Sequence, residues 1–202
     1  QLEVLVVDDC TPDQSISIVE KMINAYEGSH TYRIIRHVKN GGLSAARNSG
    51  LHEALGELIY FLDSDDYICE RAISSLVELY NQTQASIVVG NLKIVDHQTG
   101  EVVRNSIQLP LSYYFFDSLR DLYACREIVE MDLNGIAWNK LIEKNFLLEN
   151  NLFFDIGMLF EDDIWSYKVY CCKPKIAVSS IPTYVYRMRP SSIMTTFTEH
   201  HF

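Results

Sequence analysis

The sequence lacks the hallmarks of several protein classes. Its apolar runs are all shorter than the about 18 residues that a membrane-spanning helix needs, and it shows no signal peptide. The five cysteines are odd in number and form no Cys-x-x-Cys pair, so we expect reduced thiols rather than a disulfide framework or a zinc cluster. Basic residues are few: 17 Lys and Arg stand against 27 Asp and Glu, and the net charge of −10 leaves no basic footprint for nucleic acid.

What is present indicates one globular domain over residues 1–202. Hydrophobic residues make up 48% of the chain, which is enough for one sizeable core but not comfortably for two full domains. The chain begins at Gln1 and enters an apolar run almost at once, so we expect its natural start to lie upstream.

Strand and helix patterns alternate in the first half of the chain. Apolar runs predict a buried strand at Leu2–Val7, a shorter strand at Tyr32–Val38 and a third strand at Leu58–Leu62. Helices are predicted between and after these strands, at residues 16–26, Leu43–Leu55 and Glu70–Tyr80. This alternation implies an α/β fold with parallel strands, in which ligands collect at the carboxyl ends of the strands.

The second half is more mixed. Ala85–Val95 and Val102–Ile107 flank a turn and predict a hairpin. The remaining predictions are helices near residues 117–130, Glu143–Asn150 and Asp162–Tyr170, and a late strand at Lys175–Tyr186. We expect this half to close over the sheet formed by the first half.

Two acidic clusters fall at predicted strand ends. Asp63 and Asp65 have i, i+2 spacing and face the same side of a strand, so they can hold a hard divalent cation. The alternative is a solvated acidic turn that caps the next helix. Asp8 and Asp9 form the second pair and can accept hydrogen bonds from a base or a ribose hydroxyl, or simply shape a turn.

The segment Asn40–Asn48 joins a predicted loop to a helix. Gly41 and Gly42 allow the backbone to approach a ligand closely, and the helix start presents free N–H groups to an anion. Arg47 could reach a phosphate. The alternative is an ordinary loop-to-helix junction, and no Gly-Lys-Ser/Thr of a Walker loop follows.

Three further segments carry chemistry-bearing side chains. Glu161-Asp162-Asp163 opens a helix and can contain a general base, although acidic residues are also favourable in any first helical turn. Arg187 and Arg189 can face one ligand from a loop or form a surface patch. Trp138-Asn139-Lys140-Leu141 suits a sugar-binding wall, or a buried tryptophan with a satisfied indole N–H.

Taken together, these segments resemble the inverting glycosyltransferases of family 2, which have the GT-A fold. They stand in the family's order and cover nearly the whole chain. The matching segments are Val6–Asp13, Asn40–Asn48, Phe61–Asp66, Trp138–Leu141, Glu161-Asp162 and Tyr186–Ile193.

The resemblance implies a role for each site residue. The residues implied to contact the nucleotide-sugar donor are Asp8, Asp9, Asn40, Gly41, Gly42, Ala46, Arg47, Asp63, Arg187 and Arg189. Of these, Arg187 and Arg189 are implied to meet the leaving diphosphate. Asp65, with Asp63, coordinates Mn²⁺ or Mg²⁺. Asp162 is the catalytic base with Glu161 in support, and Trp138 and Asn139 lie on the acceptor side.

The resemblance also implies the architecture and the partners. We expect a Rossmann-like, mostly parallel sheet flanked by helices, with a donor half at residues 1–95 and a mixed acceptor and base half at 96–202. The family's usual first strand–helix unit is missing. The implied reaction is transfer from a UDP-sugar to a glycan or lipid-linked acceptor in cell-surface polysaccharide or lipopolysaccharide synthesis, at the cytoplasmic face of the membrane.

Two other classes of protein fit parts of the sequence. A response-regulator receiver domain shares the Asp8-Asp9 opening and would use Asp63 as its phosphoacceptor, but it needs only about 120 residues and leaves Trp138 and Glu161-Asp162 without roles. A non-catalytic module on the glycosyltransferase fold would bind the nucleotide-sugar without transferring the sugar.

Overall fold

A computed structural model of the chain describes residues 1–125, 128 and 135–189. The strands are β1 Glu3–Asp8, β2 Thr31–Arg36, β3 Leu58–Tyr60, β4 Tyr67–Ile68, β5 Ile87–Asp96, β6 Val102–Arg104, β7 Tyr113–Phe116, β8 Lys140–Glu143 and β9 Ile176–Met188. The helices are α1 Ser15–Asn24, α2 Gly42–Glu53, α3 Ala72–Thr83, α4 Leu119–Ala124, α5 Lys144–Glu149 and α6 Glu161–Cys171.

The first strands form a small parallel sheet of their own. β1 and β2 pair in register from Glu3 opposite Thr31 to Asp8 opposite Arg36, and α1 makes the crossover between them. The predicted strand at Leu2–Val7 is therefore confirmed, but its predicted burial is wrong, since every residue of β1 is only half-buried. Within the described residues β1 has a neighbouring strand on one edge only, so its apolar run is not enclosed on all sides.

In the described part of the chain, the main sheet has seven strands in the order β3-β8-β5-β9-β4, with β6 beside β5 and β7 beside β9. Among these strands β5 and β9 pair in parallel, and the other pairs are antiparallel. The α/β class is confirmed, but the sheet is mixed rather than mostly parallel. One cause is β8, which the sequence did not predict and which inserts antiparallel between β3 and β5.

Strand β5 shows why this sheet lies at the centre of the molecule. Ile87, Val88 and Val89 are each at most 1% exposed. Ile87 and Val89 face one hydrophobic cluster, and Val88 faces the other, as expected when side chains alternate along a strand buried on both faces. Each such side chain stabilises the fold by about 1.5–3 kcal/mol.

Most of the other predicted elements are confirmed with shifted ends. The hairpin is β5 and β6, paired from Ile94 opposite Arg104 to Val95 opposite Val102. The late strand is β9. The helix predicted near 117–130 is observed as α4, while residues 126, 127, 129 and 130 of that prediction lie outside the described part of the chain. The division into halves at residue 95 falls inside β5 and stays a prediction.

None of the helices in the described ranges has both the length and the apolar content that a bilayer crossing requires.

Candidate active site

A buried arginine joins three segments that are far apart in the sequence. Arg47 of α2 is 7% exposed, and its guanidinium lies 5.1 Å from the centre of the Phe154 ring. Its Nη2 donates to Asp63 Oδ1 at 3.1 Å, and its Nη1 donates to Glu161 Oε1 at 2.7 Å. Arg47 therefore points inward and holds two carboxylates, and its predicted place in the donor pocket stays a prediction. Ala46 is half-buried beside it, and its donor contact stays a prediction.

The electrostatics of Asp63 reflect this burial. Removal from water raises the pKa of Asp63, and the negative charges of Asp65 and Glu161 raise it further. The charge and hydrogen bond of Arg47 work in the opposite direction but do not cancel the rise. Asp63, Asp65 and Asp66, which follow β3 and which we call the acidic turn, therefore form a partly desolvated cluster of negative charge rather than a solvated surface turn.

The end of β9 is tied to the same turn. Arg189 forms an ion pair with Asp65, and Arg187 Nη1 donates to the Asp65 carbonyl oxygen at 3.2 Å. Asp66 accepts from the Arg187 backbone N–H at 2.8 Å and from the Tyr184 hydroxyl at 2.8 Å. Burial raises the pKa of Asp66. The two predicted arginines thus lie at the acidic turn, and their contact with a leaving diphosphate stays a prediction.

The carboxylates of the turn can supply only part of a metal site. In the described part of the chain, no three His, Cys, Asp or Glu side chains are arranged to hold a metal ion. Asp63 is engaged by Arg47, and Asp65 by Arg189. Mg²⁺ and similar cations in phosphate-binding sites use one or two carboxylates, with the remaining ligands coming from the phosphates and water. Asp63 and Asp65 fit that pattern if a diphosphate completes the set.

Asp162 occupies the second position of α6. Phe160, which precedes the helix, has a left-handed φ of 55°, and the Trp165 indole anchors the first turns by donating to the Leu152 carbonyl at 2.9 Å. Burial raises the pKa of Asp162, and the neighbouring charge of Glu161 raises it further. A carboxylate with a raised pKa is a stronger base than one in water, as a general base requires.

Asp9 organises the glycine loop that precedes α2. Its Oδ1 accepts the Gly41 N–H at 2.8 Å, and its Oδ2 accepts the Gly42 N–H at 2.7 Å. His37 Nδ1 lies 2.6 Å from Oδ1, and Asn40 Nδ2 donates to the Asp9 carbonyl oxygen at 2.8 Å. Gly42 has a φ of 82°, a region that L-residues with a side chain avoid. The described structure gives Asp9, Asn40 and both glycines a role in shaping the loop, and their donor contacts stay predictions.

Burial alone would raise the pKa of Asp9, but the hydrogen bonds from Gly41, His37 and Gly42 outweigh it, and the pKa is lowered. His37 and Ser49 also belong to this network, with His37 Nε2 2.8 Å from Ser49 Oγ. The sequence did not reveal them, because neither has a motif or a ligand spacing. Asp8 accepts the Thr11 N–H at 2.9 Å through Oδ1, and its nucleoside contact stays a prediction.

Trp138 is half-buried at the side of the main sheet. Its ring stacks on Tyr184 at a centroid distance of 4.4 Å and on Tyr186 at 5.9 Å. Phe61, at the end of β3, forms a parallel bridge with it. These contacts bring Trp138 to the acidic turn, and its place on the acceptor side stays a prediction.

Asn139 does not face an acceptor. It is 0% exposed, its Nδ2 donates to the Gly90 carbonyl at 2.7 Å, and its Oδ1 accepts the Thr183 hydroxyl at 2.6 Å. The Tyr60 hydroxyl donates to the same oxygen at 3.3 Å. The acceptor-side prediction for Asn139 is therefore corrected: the amide cross-links β5 and β9 inside the core, because a buried amide must satisfy its own hydrogen bonds.

The mixed α/β sheet and the acidic groups gathered at the end of β3 define a GT-A type glycosyltransferase domain. The chain matches the family described as "Glycosyl transferase family 2" over residues 1–146, and it belongs to that family. This membership leaves the receiver-domain alternative without support.

Two similar proteins, one of them also with a solved structure, illustrate the match. "Glycosyltransferase GlyA" from Streptococcus pneumoniae is 34% identical over 98% of this chain, and "Poly(ribitol-phosphate) beta-N-acetylglucosaminyltransferase TarS" from Staphylococcus aureus is 26% identical over 92%. The crystal structure of S. aureus TarS in complex with UDP-GlcNAc has a TM-score of 0.76 at 25% identity, covering 97% of this chain and 52% of that one. The chain spans 28% of the length of GlyA and 30% of that of TarS.

Proposed function

We propose that this chain transfers a sugar from a UDP-sugar to an acceptor hydroxyl with inversion of the anomeric configuration. The observation that carries the proposal is the Arg47 link, because it brings the acidic turn of Asp63 and the acidic start of α6 into one site. The Arg47 guanidinium thereby lies between Asp63, which would help to hold the donor, and the first turn of α6, which carries the base Asp162.

Asp162 is the base in this mechanism. Its carboxylate accepts the proton of the acceptor hydroxyl while the hydroxyl oxygen forms a bond to the anomeric carbon. The bond from that carbon to the diphosphate oxygen breaks on the opposite face, and UDP leaves with the electron pair. Glu161, held by Arg47, fixes the first turn of α6 and so orients Asp162. One base and one direct displacement give inversion.

The relatives support the donor and the stereochemistry. TarS is named a beta-N-acetylglucosaminyltransferase, and a structure with a TM-score of 0.76 to this chain contains UDP-GlcNAc. The sugar of UDP-GlcNAc is α-linked to the diphosphate, so formation of a β-linkage inverts the anomeric carbon. We extend the same donor class and outcome to this chain.

A divalent cation fits the chemistry of the leaving group. Asp65 and Asp63 would hold Mn²⁺ or Mg²⁺, which offsets the charge that develops on the diphosphate as the glycosidic bond breaks. Arg187 and Arg189 lie at the same turn and would add positive charge beside the diphosphate. Because Arg189 is paired with Asp65 in the described structure, we expect that pair to open when the donor binds.

The acceptor class follows from the relatives only in outline. Two of them are named poly(ribitol-phosphate) glycosyltransferases and a third is a succinoglycan biosynthesis protein. We therefore propose a glycan or lipid-linked acceptor of the cell surface, reached from the cytoplasmic face of the membrane.

The test compares Asp162→Asn with the neighbouring Asp163→Asn. Asp163 is exposed and serves as a matched control in the same helical turn. Release of UDP from UDP-GlcNAc and other UDP-sugars is measured for each variant, and UDP affinity is measured by calorimetry. We expect Asp162→Asn to lower turnover by about 10²- to 10⁴-fold with unchanged UDP affinity, while Asp163→Asn stays near the unmodified chain. Equal turnover in the two variants contradicts the assignment of the base. UDP binding without turnover in the unmodified chain indicates the non-catalytic module instead.

A further inference from the structure

Three hydrogen-bonded side chains lie behind the glycine loop, Asn40–Gly42, and the proposed chemistry does not use them. Asp9 follows β1, His37 follows β2, and Ser49 lies in α2. His37 Nδ1 lies 2.6 Å from Asp9 Oδ1, and His37 Nε2 lies 2.8 Å from Ser49 Oγ. The side chains of Asp9 and His37 are each 17% exposed, so water competes little for the hydrogen bond between them.

The pairing of the first two strands fixes the place of His37. β1 and β2 pair in parallel as far as Asp8 opposite Arg36, and the His37 backbone N–H extends this pairing by donating to the Asp8 carbonyl oxygen at 2.9 Å. Asp9 and His37 are therefore the next residues along two neighbouring strands. The His37 ring is held by its own backbone on one side and by Ser49 on the other, so it can fix the direction of the Asp9 carboxylate.

The hydrogen-bonding capacity of Asp9 sets the direction of these bonds. Burial acts to raise the pKa of Asp9, but the hydrogen bonds from the two glycine N–H groups of the loop and from His37 lower it. An ionised carboxylate only accepts, so His37 Nδ1–H donates to Asp9. Asp9 Oδ1 also accepts the Gly41 N–H at 2.8 Å, and Oδ2 accepts the Gly42 N–H at 2.7 Å. His37 therefore holds the same carboxylate to which the loop is attached.

The order aspartate, histidine, serine also occurs in nucleophile triads, but the surroundings of Ser49 do not suit a nucleophile. Ser49 lies in the interior of α2, Gly42–Glu53, where backbone N–H groups bond to carbonyl oxygens of the same helix. These groups therefore cannot stabilise the oxyanion that forms when a serine attacks a carbonyl. The three side chains position the loop rather than react.

We propose that His37 is a positioning residue for donor binding: through Asp9 it holds the Gly41–Gly42 backbone in the form to which the UDP part of the donor binds. The inference rests on the proposed function, in which a UDP-sugar is the donor, and on the predicted contact of this loop with it. In this role His37 touches neither the donor nor the reacting atoms. If the loop leaves its binding form for part of the time, the apparent affinity for the donor falls in proportion.

Substitutions of His37 that differ only in the donor toward Asp9 provide the test. His37→Asn places an amide N–H at about the position of Nδ1 and so keeps the bond to Asp9, whereas His37→Leu has nearly the same shape and no donor. His37→Met is a second replacement without a donor. The control is His52→Leu, because His52 lies at the far end of α2, is exposed and stacks on Phe153 at a centroid distance of 4.8 Å.

Two measurements are made on each variant of the full chain. Calorimetric titration of UDP with Mn²⁺ gives the affinity, and hydrogen exchange of the Gly41 and Gly42 amides without UDP, followed by NMR, reports on the loop. We expect His37→Leu and His37→Met to bind UDP about tenfold more weakly and to exchange both amides faster, because a hydrogen bond to a charged group contributes about a factor of ten or more. His37→Asn and His52→Leu should stay near the unmodified chain.

Turnover separates positioning from a role in the chemical step. In His37→Leu we expect UDP release to show a raised KM for the UDP-sugar and an unchanged kcat. A Leu or Met variant that folds and keeps the UDP affinity of the unmodified chain overturns the inference, as does an Asn variant that loses as much affinity as the Leu variant. If the unmodified chain itself binds no UDP, the proposed function fails, while exchange of the two amides still shows whether His37 orders the loop.

Discussion

Replacement of Arg47 by methionine tests the link at the centre of the candidate site. The Arg47 side chain is 6% exposed, and it pairs with Asp63 and Glu161, whose side chains are 27% and 15% exposed. Removing one partner of a buried ion pair costs about 3–5 kcal/mol, because the remaining charge stays desolvated. Since the two carboxylates keep some contact with water, we expect the lower end, about 3 kcal/mol.

The penalty should depend on pH. Without Arg47, the pKa of Asp63, which burial already raises, rises further. A carboxyl whose pKa is higher in the folded state takes up its proton more readily when folded, so the penalty is full above the folded pKa and disappears below the unfolded one. The loss of stability in Arg47→Met should therefore be larger at about pH 7.5 than at about pH 5.

Urea denaturation at both pH values measures the free energy of unfolding. Arg36→Met is the control, since Arg36 pairs with Glu20 on the surface with side chains 51% and 48% exposed, and such pairs contribute only about 0–1 kcal/mol. The reasoning is refuted if Arg47→Met costs no more than Arg36→Met, or if its cost is the same at the two pH values.

The remaining predictions concern the core amide and the glycine loop. Thr183→Val keeps the shape of a fully buried side chain but removes the hydroxyl that donates a hydrogen bond to Asn139 Oδ1 at 2.6 Å. It should therefore lower the free energy of unfolding, measured by urea denaturation, by about 1–3 kcal/mol. A cost near zero would mean that Asn139 finds another donor. Asp9→Asn should cost about 1.5–3 kcal/mol at neutral pH, because a charged acceptor of the Gly41 and Gly42 N–H groups is lost. The pKa of Asp9 is lowered from 3.8, so this contribution is present above that pH and lost as the pH falls through the folded pKa; a difference that persists in stronger acid would contradict the assignment.

Most elements could be predicted from the sequence, and three short strands could not. The continuous apolar run of β1 and the Ile87–Val89 core of β5 carry an unambiguous pattern. The three-residue strands β3 and β6 were predicted as parts of the longer segments Leu58–Leu62 and Val102–Ile107. By contrast, β4 has two residues and β7 and β8 have four each, and none of these three was predicted. Because β8 was not predicted, the antiparallel pairs that it forms with β3 and β5 were not predicted either.

The directions of the side chains in the site also could not be predicted from the sequence. The sequence indicated that Arg47 and Glu161 carry chemistry, but the two residues are 114 positions apart, and no local pattern reports that they pair with each other. A free arginine at a helix start therefore suggested a phosphate ligand. The same limit applies to Asn139, which stands next to an aromatic residue in a typical sugar-binding pattern. Its side-chain amide instead donates a hydrogen bond to the Gly90 carbonyl and accepts one from the Thr183 hydroxyl.

The central claim is that the acidic turn after β3 holds the diphosphate of a UDP-sugar with the help of a divalent cation. Calorimetric titration of UDP, with and without Mn²⁺, tests it most directly in the unmodified chain and in Asp65→Asn. We expect UDP to bind more tightly with Mn²⁺ in the unmodified chain, and this gain to be lost in Asp65→Asn. Equal affinity with and without Mn²⁺, or a Mn²⁺-dependent gain that survives in Asp65→Asn, would contradict the account.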